Sequence, residues 1–576
     1  MSLFSALALA LLAVTAAAST THVAPRLLPR SDPITVPIHL HSRGVPSNST
    51  LGNATVLDTT ATNDTAHSGL TPVSFSSDKQ SYYAVIKTGD IYFRVALDTA
   101  SADLWVMSSQ CQTKACKNVP KYPLAYQSPT FVTVANNSTL FQAGYADGTG
   151  VSGFVAEESV QLSNLTVPDQ AFALVSNCNV TLTDQVSGIM GLGFPRLSSI
   201  SNSVPGSTPF FARLAQNGLL DYPLFGVSLT RNFSGAIDSS VVKDALKINW
   251  NKVVQFAPFG TESNTSSYLH WAIPISGFSV GNSRLTPQPT YPNITSNTSY
   301  ALFDIGTAGI YGPFSDVARL FSLIDGARLV DASGQWVVPC DTVSTMSLFF
   351  GKQEYVLQPT DYLIGPASGN PNLCLAWPRA VQPSPDGLDW QIGSAFMRMV
   401  YTVFSFGINT KEPPMIGLYS IFNGTNITET PGEVASFLSS ESATVATTLP
   451  NFVLPTPTMT TPPYVLNSAI SASIGGIVAT GLATSTYSPI FGQKKLNVTA
   501  LPTISPSPTL LTLIITDSIG QLITTVSSHS TASVTLGVPP GWNAAGVLHA
   551  PGPFAVALPC FAFLWTITFF LDLANG

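Results

Sequence analysis

The stretch V-A-L-D-T-A-S-A-D-L-W-V, residues 95–106, has a counterpart far downstream in A-L-F-D-I-G-T-A, residues 301–308. Each is an apolar run that ends in an aspartate. A small residue follows two positions later and a hydroxyl three positions later: Asp98, Ala100 and Ser101 in one, Asp304, Gly306 and Thr307 in the other. An apolar run closing on an aspartate and small residues predicts a buried strand that enters a tight turn. A second echo follows each aspartate by roughly ninety residues, as G-I-M-G-L-G-F (188–194) and W-Q-I-G-S-A-F (390–396). Two similar lobes, each contributing one carboxylate, are the simplest architecture for such a chain.

The surroundings fit two β-rich lobes. From Tyr82 to about Ser420, short apolar and β-branched runs such as YYAVI, YFRVAL, FVTV, FVAEESVQL and YTVFSFGI alternate with Gly, Asn and Pro turns, which is an all-β pattern. Helical periodicity is best in PFFARLAQNGLL (209–220) and FSDVARLFSLI (314–324).

Several chemistries are excluded early. The chain has 576 residues, of which only 10% are charged against about 25% in an ordinary globular protein. Its net charge is -7, and no basic patch offers a nucleic-acid footprint. Between Tyr82 and Ser420 the sole histidine is His270, so a Ser-His-Asp or Cys-His system would rest on one residue, and no zinc cluster can be assembled. G-T-G-V-S-G (148–153) formally matches a dinucleotide loop but lacks the following helix and a placed acidic partner.

What remains is the pair of carboxylates. Two aspartates held close cannot both ionise, because like charges repel, so one keeps a proton in mild acid while the other is charged. The charged one can take a proton from a water that attacks a peptide carbonyl, and the other can donate to the oxyanion or the leaving amine.

At these residues the chain resembles the pepsin-like aspartic peptidases. D-T-A-S-A-D-L-W-V (98–106) is similar to the family's first active-site motif, and F-D-I-G-T-A (303–308) to its second. Y-A-D-G-T-G-V-S-G (145–153) resembles the flap, and D-W-Q-I-G-S-A-F-M-R-M-V-Y-T-V-F (389–404) the family's final segment, so the likeness runs from about Tyr82 to Tyr419. The resemblance implies an all-β, bilobal fold with a cleft between the lobes. It implies a catalytic dyad of Asp98 and Asp304, with Ser101 and Thr307 bonded to their outer oxygens. Tyr145 would lie on the flap above Trp105, and Asp147, Gly148 and Gly306 would meet the substrate backbone. It further implies protein or peptide substrates, no cofactor and no metal.

Four positions depart from the family pattern: Ala100 and Ala146 stand where glycine is usual, Ser405 where aspartate is common, and Ile305 where a second threonine is expected. In the family those two threonines each reach across to the other lobe's backbone; Thr99 keeps its half and Ile305 cannot make the other. By the same resemblance Cys111 pairs with Cys116 and Cys340 with Cys374, which leaves Cys178 over, either buried and free or paired outside the chain.

Beyond the core, residues 3–17 are apolar and end in small residues, as a secretory signal peptide does, so residues 1–18 are assigned to one. Fourteen N-x-S/T sequons spread along the chain support the oxidising secretory route. Residues 19–80 predict a pro-segment or flexible lead, 81–265 the first lobe and 266–420 the second. Residues 421–545 are rich in Ser, Thr and Pro and predict a glycosylated stalk. The last segment, 546–576, carries an apolar run without a cytosolic base, preceded by small residues and a spacer, as in a GPI-anchor signal; a single membrane-spanning helix is the alternative. The expectation is a monomeric, secreted aspartic endopeptidase of fungal GPI-anchored type at the cell surface. The alternative is a catalytically weak pepsin-like surface glycoprotein with a binding or wall role.

Overall fold

Tyr82–Thr88 alternates buried and half-buried residues, as a strand with one face on a core must, and Ile91–Asp98 begins the same way before becoming buried on both faces. The computed structural model describes residues 35–39, 70–76, 78, 80–126, 128–163, 165–220, 222–229, 248–254, 268–408, 411–421, 428–441, 449, 452–465, 485–491, 511–516, 522–527 and 535–541. The expected signal peptide and the expected C-terminal anchor signal lie outside the described residues. Among the described residues no helix is long and apolar enough to cross a membrane.

The two echoes of the sequence are one structural device used twice. The strand ending in Asp98 pairs in parallel with Val186–Gly191, which pairs antiparallel with Leu104–Met107. In the second half, Ser299–Phe303 pairs in parallel with Leu388–Ile392, which pairs antiparallel with Ile310–Pro313. The glycine ending each later motif is required by close backbone approach. A β-carbon at Gly191 would lie 2.4 Å from the Ala102 carbonyl carbon, and one at Gly393 would lie 2.1 Å from the Thr307 carbonyl oxygen. Each aspartate is thus carried out of a buried strand onto a turn clamped by a neighbouring strand.

The fold is mostly β and bilobal. A fourteen-stranded sheet runs through the first lobe and continues through Leu224–Ser228, Val400–Ser405, Met415–Ser420 and Asn249–Lys252. Because Leu224–Ser228 pairs with Val400–Ser405 from the second half, this sheet backs both lobes. The second lobe adds a five-stranded and two four-stranded sheets. The lobes meet over an aromatic core in which Trp271 packs on Phe194 at 4.2 Å between centroids and on Phe404 at 5.1 Å. The Trp271 indole N–H donates to the Leu192 carbonyl at 3.0 Å, so the one polar atom of that side chain is satisfied in the interior. Helices Phe210–Gln216 and Phe314–Phe321 occupy the two runs with helical periodicity. Two strands, Thr35–His39 and Leu70–Phe75, come from the lead and join the large sheet.

Parts of the stretch read as a stalk lie against the core. Helix Pro431–Glu441 buries Val434, and the Tyr291 hydroxyl donates to the Pro462 carbonyl at 2.8 Å. Further on, Phe491 stacks on Trp250 at 4.0 Å, and its amide and that of Ile490 both donate to Glu412 Oε2 at 2.7 Å. Glu412 is fully buried and also accepts from the Tyr222 hydroxyl. Replacing it strands three donors, each worth about 1–3 kcal/mol when left buried and unpaired. Glu412→Ala is therefore expected to lower unfolding free energy by about 3 kcal/mol or more, read by denaturant titration, and to free segment 485–491 for limited proteolysis.

Candidate active site

Asp98 ends its strand and Asp304 directly follows its own, with their two carboxyl groups brought close together across the Gly306 backbone. Asp98 is 7% exposed and Asp304 fully buried. Each turn supplies the same donors to its own aspartate. The Ala100 amide donates to Asp98 Oδ1 at 2.8 Å and the Ser101 hydroxyl to Oδ2 at 2.6 Å. The Gly306 amide donates to Asp304 Oδ1 at 2.9 Å and the Thr307 hydroxyl to Oδ2 at 2.6 Å. The inner oxygens therefore face across the lobe boundary and the outer ones are tied to the hydroxyls. A β-carbon at Gly306 would lie 3.0 Å from Asp98 Oδ1 and 3.2 Å from Asp304 Oδ1, which leaves only the glycine backbone room between the two side chains.

Thr99 links the lobes beneath the pair. Its hydroxyl donates to the Phe303 carbonyl at 2.9 Å and accepts from the Ile305 amide at 3.0 Å. Ile305, fully buried, contributes apolar packing where a hydroxyl would have made the reciprocal pair of bonds.

Burial raises both aspartates, because a charge taken out of water is disfavoured. For Asp98 that effect is opposed chiefly by hydrogen bonds from Ser101 and Ala100. For Asp304 the negative charge of Asp98 adds to burial and pushes its pKa further up. Burial and mutual repulsion thus favour one proton held by the pair over two charged carboxylates, with the stronger upward push on Asp304.

Above this pair a hairpin of Leu140–Gly144 and Gly150–Leu162 closes through the turn 145–149. The Tyr145 amide donates to the Thr149 carbonyl at 2.8 Å, and the Gly148 amide to the Tyr145 carbonyl at 2.9 Å. Gly148 adopts φ +82°, a left-handed turn that glycine takes without strain. The Asp147 carboxylate accepts from the Thr149 amide at 2.9 Å and its hydroxyl at 2.6 Å, so its side chain shapes the turn. Tyr145 reaches down to accept from the buried Trp105 indole N–H at 2.7 Å. Beneath the hairpin lies a pocket lined by Asp98, Tyr145, Thr149, Val180, Ile189 and Gly306.

Of the residues singled out from the sequence, Asp98, Tyr145, Asp147 and Gly306 line this pocket, Thr99, Ser101, Trp105, Asp304 and Thr307 are bonded to its residues or their turns, Gly148 is exposed in the hairpin turn, and the cysteines lie elsewhere. Those form the bonds Cys111–Cys116 and Cys340–Cys374, one in each lobe. Cys178 is buried and free, with its thiol donating to the Val180 carbonyl; burial pushes its pKa up to about 11, which leaves it protonated and unreactive. His270 is half-buried outside the site.

Two residues escaped the reading of the sequence. Asp103, nearly buried, accepts from the Ser198 hydroxyl, the Ser199 amide at 2.8 Å and the Ile200 amide at 3.4 Å, holding the segment after Phe194 against the first active turn. Burial raises its pKa to about 6. Gln391 reaches Asp304 itself, its Nε2 donating to Oδ2 at 3.0 Å and to the Thr307 hydroxyl at 2.7 Å. Its one sequence signal is a polar residue set between the apolar Trp390 and Ile392 of the strand Leu388–Ile392.

Comparison with known proteins points the same way. A family profile described as "Eukaryotic aspartyl protease" matches residues 81–412. The chain is 30% identical over 333 residues to an aspartic protease of Phaffia rhodozyma, covering 56% of this chain and 73% of the relative. It is 28% identical over 345 residues to the major aspartyl peptidase 1 of Cryptococcus neoformans var. grubii, covering 58% and 67%. It is 29% identical over 330 residues to mouse cathepsin E, covering 55% and 75%. The chain belongs to the eukaryotic aspartyl protease family.

Proposed function

We propose that this protein is an active aspartic endopeptidase that hydrolyses peptide bonds in acid, with Asp98 and Asp304 as its catalytic residues. The observation that carries the proposal is the close approach of the two carboxyls across Gly306, with Asp98 and Gly306 lining a pocket beneath the Tyr145 hairpin. An extended peptide lies under the hairpin, with backbone groups of Gly148 and Gly306 and the side of Asp147 toward it. Charged Asp98 takes a proton from a water as the water oxygen bonds to the peptide carbonyl carbon. Asp304 gives its proton to the carbonyl oxygen, which becomes a gem-diol hydroxyl. Collapse of that diol breaks the C–N bond, the amine leaves with a proton from the dyad, and the shared proton is restored. No covalent intermediate forms.

The test is cleavage of denatured protein by the purified chain at about pH 3–5, where one dyad carboxyl is charged. Pepstatin-sensitive cleavage supports the proposal; no cleavage rejects it.

Ile305 favours a second reading, a catalytically weak surface glycoprotein. Restoring threonine separates the two. Thr99 already ties both strands together, and threonine would exchange buried methyls for one hydrogen bond of about 1 kcal/mol. Ile305→Thr is accordingly expected to leave kcat/KM within about fivefold of wild type, the factor that 1 kcal/mol represents. A gain of several orders of magnitude would favour the weak-homologue reading.

The same proposal carries the monomer through the secretory route to the cell surface on a GPI anchor. The N-terminal apolar run, the sequons and the C-terminal signal pattern support it. Release from cells by phosphatidylinositol-specific phospholipase tests the anchor, and retention favours a membrane span.

A further inference from the structure

The two halves of the dyad are not held alike. The outer oxygen of Asp98 accepts from Ser101. The outer oxygen of Asp304 accepts from Thr307 and, in addition, from Gln391 on the strand alongside. We infer that Gln391 is a positioning residue of the active site, which fixes the direction of the Thr307 hydroxyl and secures the outer oxygen of Asp304. This deepens the peptidase reading and rests on it for its catalytic meaning.

The chemistry of the donors makes the inference specific. An amide nitrogen carries two hydrogens and cannot accept, so both Nε2 hydrogens are spent, on Thr307 Oγ1 and on Asp304 Oδ2. The opposite amide orientation would press a carbonyl oxygen against a carboxylate oxygen. With Gln391 donating to it, Thr307 has a single hydroxyl hydrogen, and that hydrogen goes to Asp304 Oδ2 at 2.6 Å. The outer oxygen, holding two donated hydrogens, is not where Asp304 keeps its own proton. The proton is directed to Oδ1, which lies beside Gly306 on the side of Asp98. Gln391 thereby orients the transferable proton without touching substrate. It also supplies, from within the second lobe, rigidity at the turn where Ile305 makes no cross-lobe side-chain bond.

The titratable group facing Asp304 is Asp98, from the opposite lobe. Its remaining neighbours, Gly306 and Thr307 from its own turn and Gln391 from the adjacent strand, do not titrate. Tyr145 and Asp103 act on the Asp98 side. A donor on the outer oxygen favours ionised Asp304, so losing it raises the pH at which that carboxyl gives up its proton.

The test compares the full chain with Gln391→Met, close in volume, and Gln391→Glu. kcat/KM on a quenched fluorescent peptide is measured from about pH 3 to 8, across both limbs of the dyad. For Gln391→Met the alkaline limb is expected to move up by about one pH unit, with kcat lowered and KM little changed. Gln391→Glu, which places a second carboxylate against Asp304, is expected to move it further. Unfolding free energy against pH supplies a readout independent of turnover: the Met variant should lose more stability than wild type between mild acid and neutral. If wild type proves inactive while this stability difference appears, the peptidase reading fails and the positioning of Asp304 stands. Profiles of both kinds that superimpose on wild type, whatever the change in melting temperature, would overturn the inference and leave Gln391 a packing residue.

Discussion

Asp304→Asn is expected to lower kcat/KM for peptide cleavage by about 10³-fold or more, the scale on which a positioned general acid contributes. Asparagine keeps the size and the outer-oxygen contacts of the side chain but has no transferable proton. The proton-sharing pair with Asp98 is lost, and the amide cannot both replace the carboxyl hydrogen and accept from the Gly306 amide as Asp304 Oδ1 does. Asp98→Asn is expected to fall equally far, because it removes the base that deprotonates water. The double variant should be little worse than either single one, since the two groups act as a unit. KM should move much less than kcat, because the cavity and the Tyr145 hairpin are untouched. A variant that retains a tenth of wild-type activity would exclude the dyad as the source of catalysis.

Stability is expected to fall as pH rises from mild acid to neutral, opposite to proteins whose carboxylates are stabilised by cations. Asp98, Asp304, Asp103, Asp316 and Asp389 are all pushed upward, chiefly by burial, with Asp103 and Asp316 at about 6. The sign follows directly. A carboxyl with a raised folded-state pKa binds its proton more tightly when folded, so the folded chain holds more protons than the unfolded one between the two values. Stability from these groups is full below the unfolded pKa of about 3.9 and is lost as pH climbs through the folded values. A carboxyl whose folded pKa stands one pH unit above its unfolded value costs about 1.4 kcal/mol once the pH has passed both. Five such groups make the loss large against a typical stability of about 5–15 kcal/mol. Denaturant unfolding should give a higher free energy at about pH 4 than at about pH 7. Asp304→Asn should flatten the slope, its difference from wild type becoming more favourable toward neutral pH. A wild-type chain more stable at neutral than in acid would contradict the assignment of buried, proton-holding carboxyls.

Much of this was legible in the residue order. The aspartate turns are read from Asp98-x-Ala100-Ser101 and Asp304-x-Gly306-Thr307, because a strand ending in a carboxylate and two small residues has few ways to turn. Gly191 and Gly393 mark where a neighbouring strand must press on each turn. Tyr145 and Trp105 belong to motifs whose order carried the resemblance. Less local features were not legible. Gln391 lies 87 residues from Asp304, and only strand pairing in the same sheet brings its amide to the carboxyl. Asp103 gains its partners 95 to 97 residues later, on a segment with no pattern of its own. The tail was read by composition, and Ser, Thr and Pro do favour solvated backbone. Yet Tyr487, Ile490 and Phe491 form a sparse apolar patch within it, and the pocket that receives them, between Tyr222, Trp250 and Glu412, is assembled from three distant strands and loops.

The central claim is that one proton shared by Asp98 and Asp304 drives peptide hydrolysis, and kcat/KM of the wild-type chain as a function of pH tests it most directly. The account predicts a bell: activity rises as the first carboxyl ionises and disappears as the second, which burial and the charge of Asp98 push up, loses its proton. Activity that instead climbs through neutral pH on a single ionisation would mean that some other base does the work, and the paired carboxyls would no longer explain what the protein does.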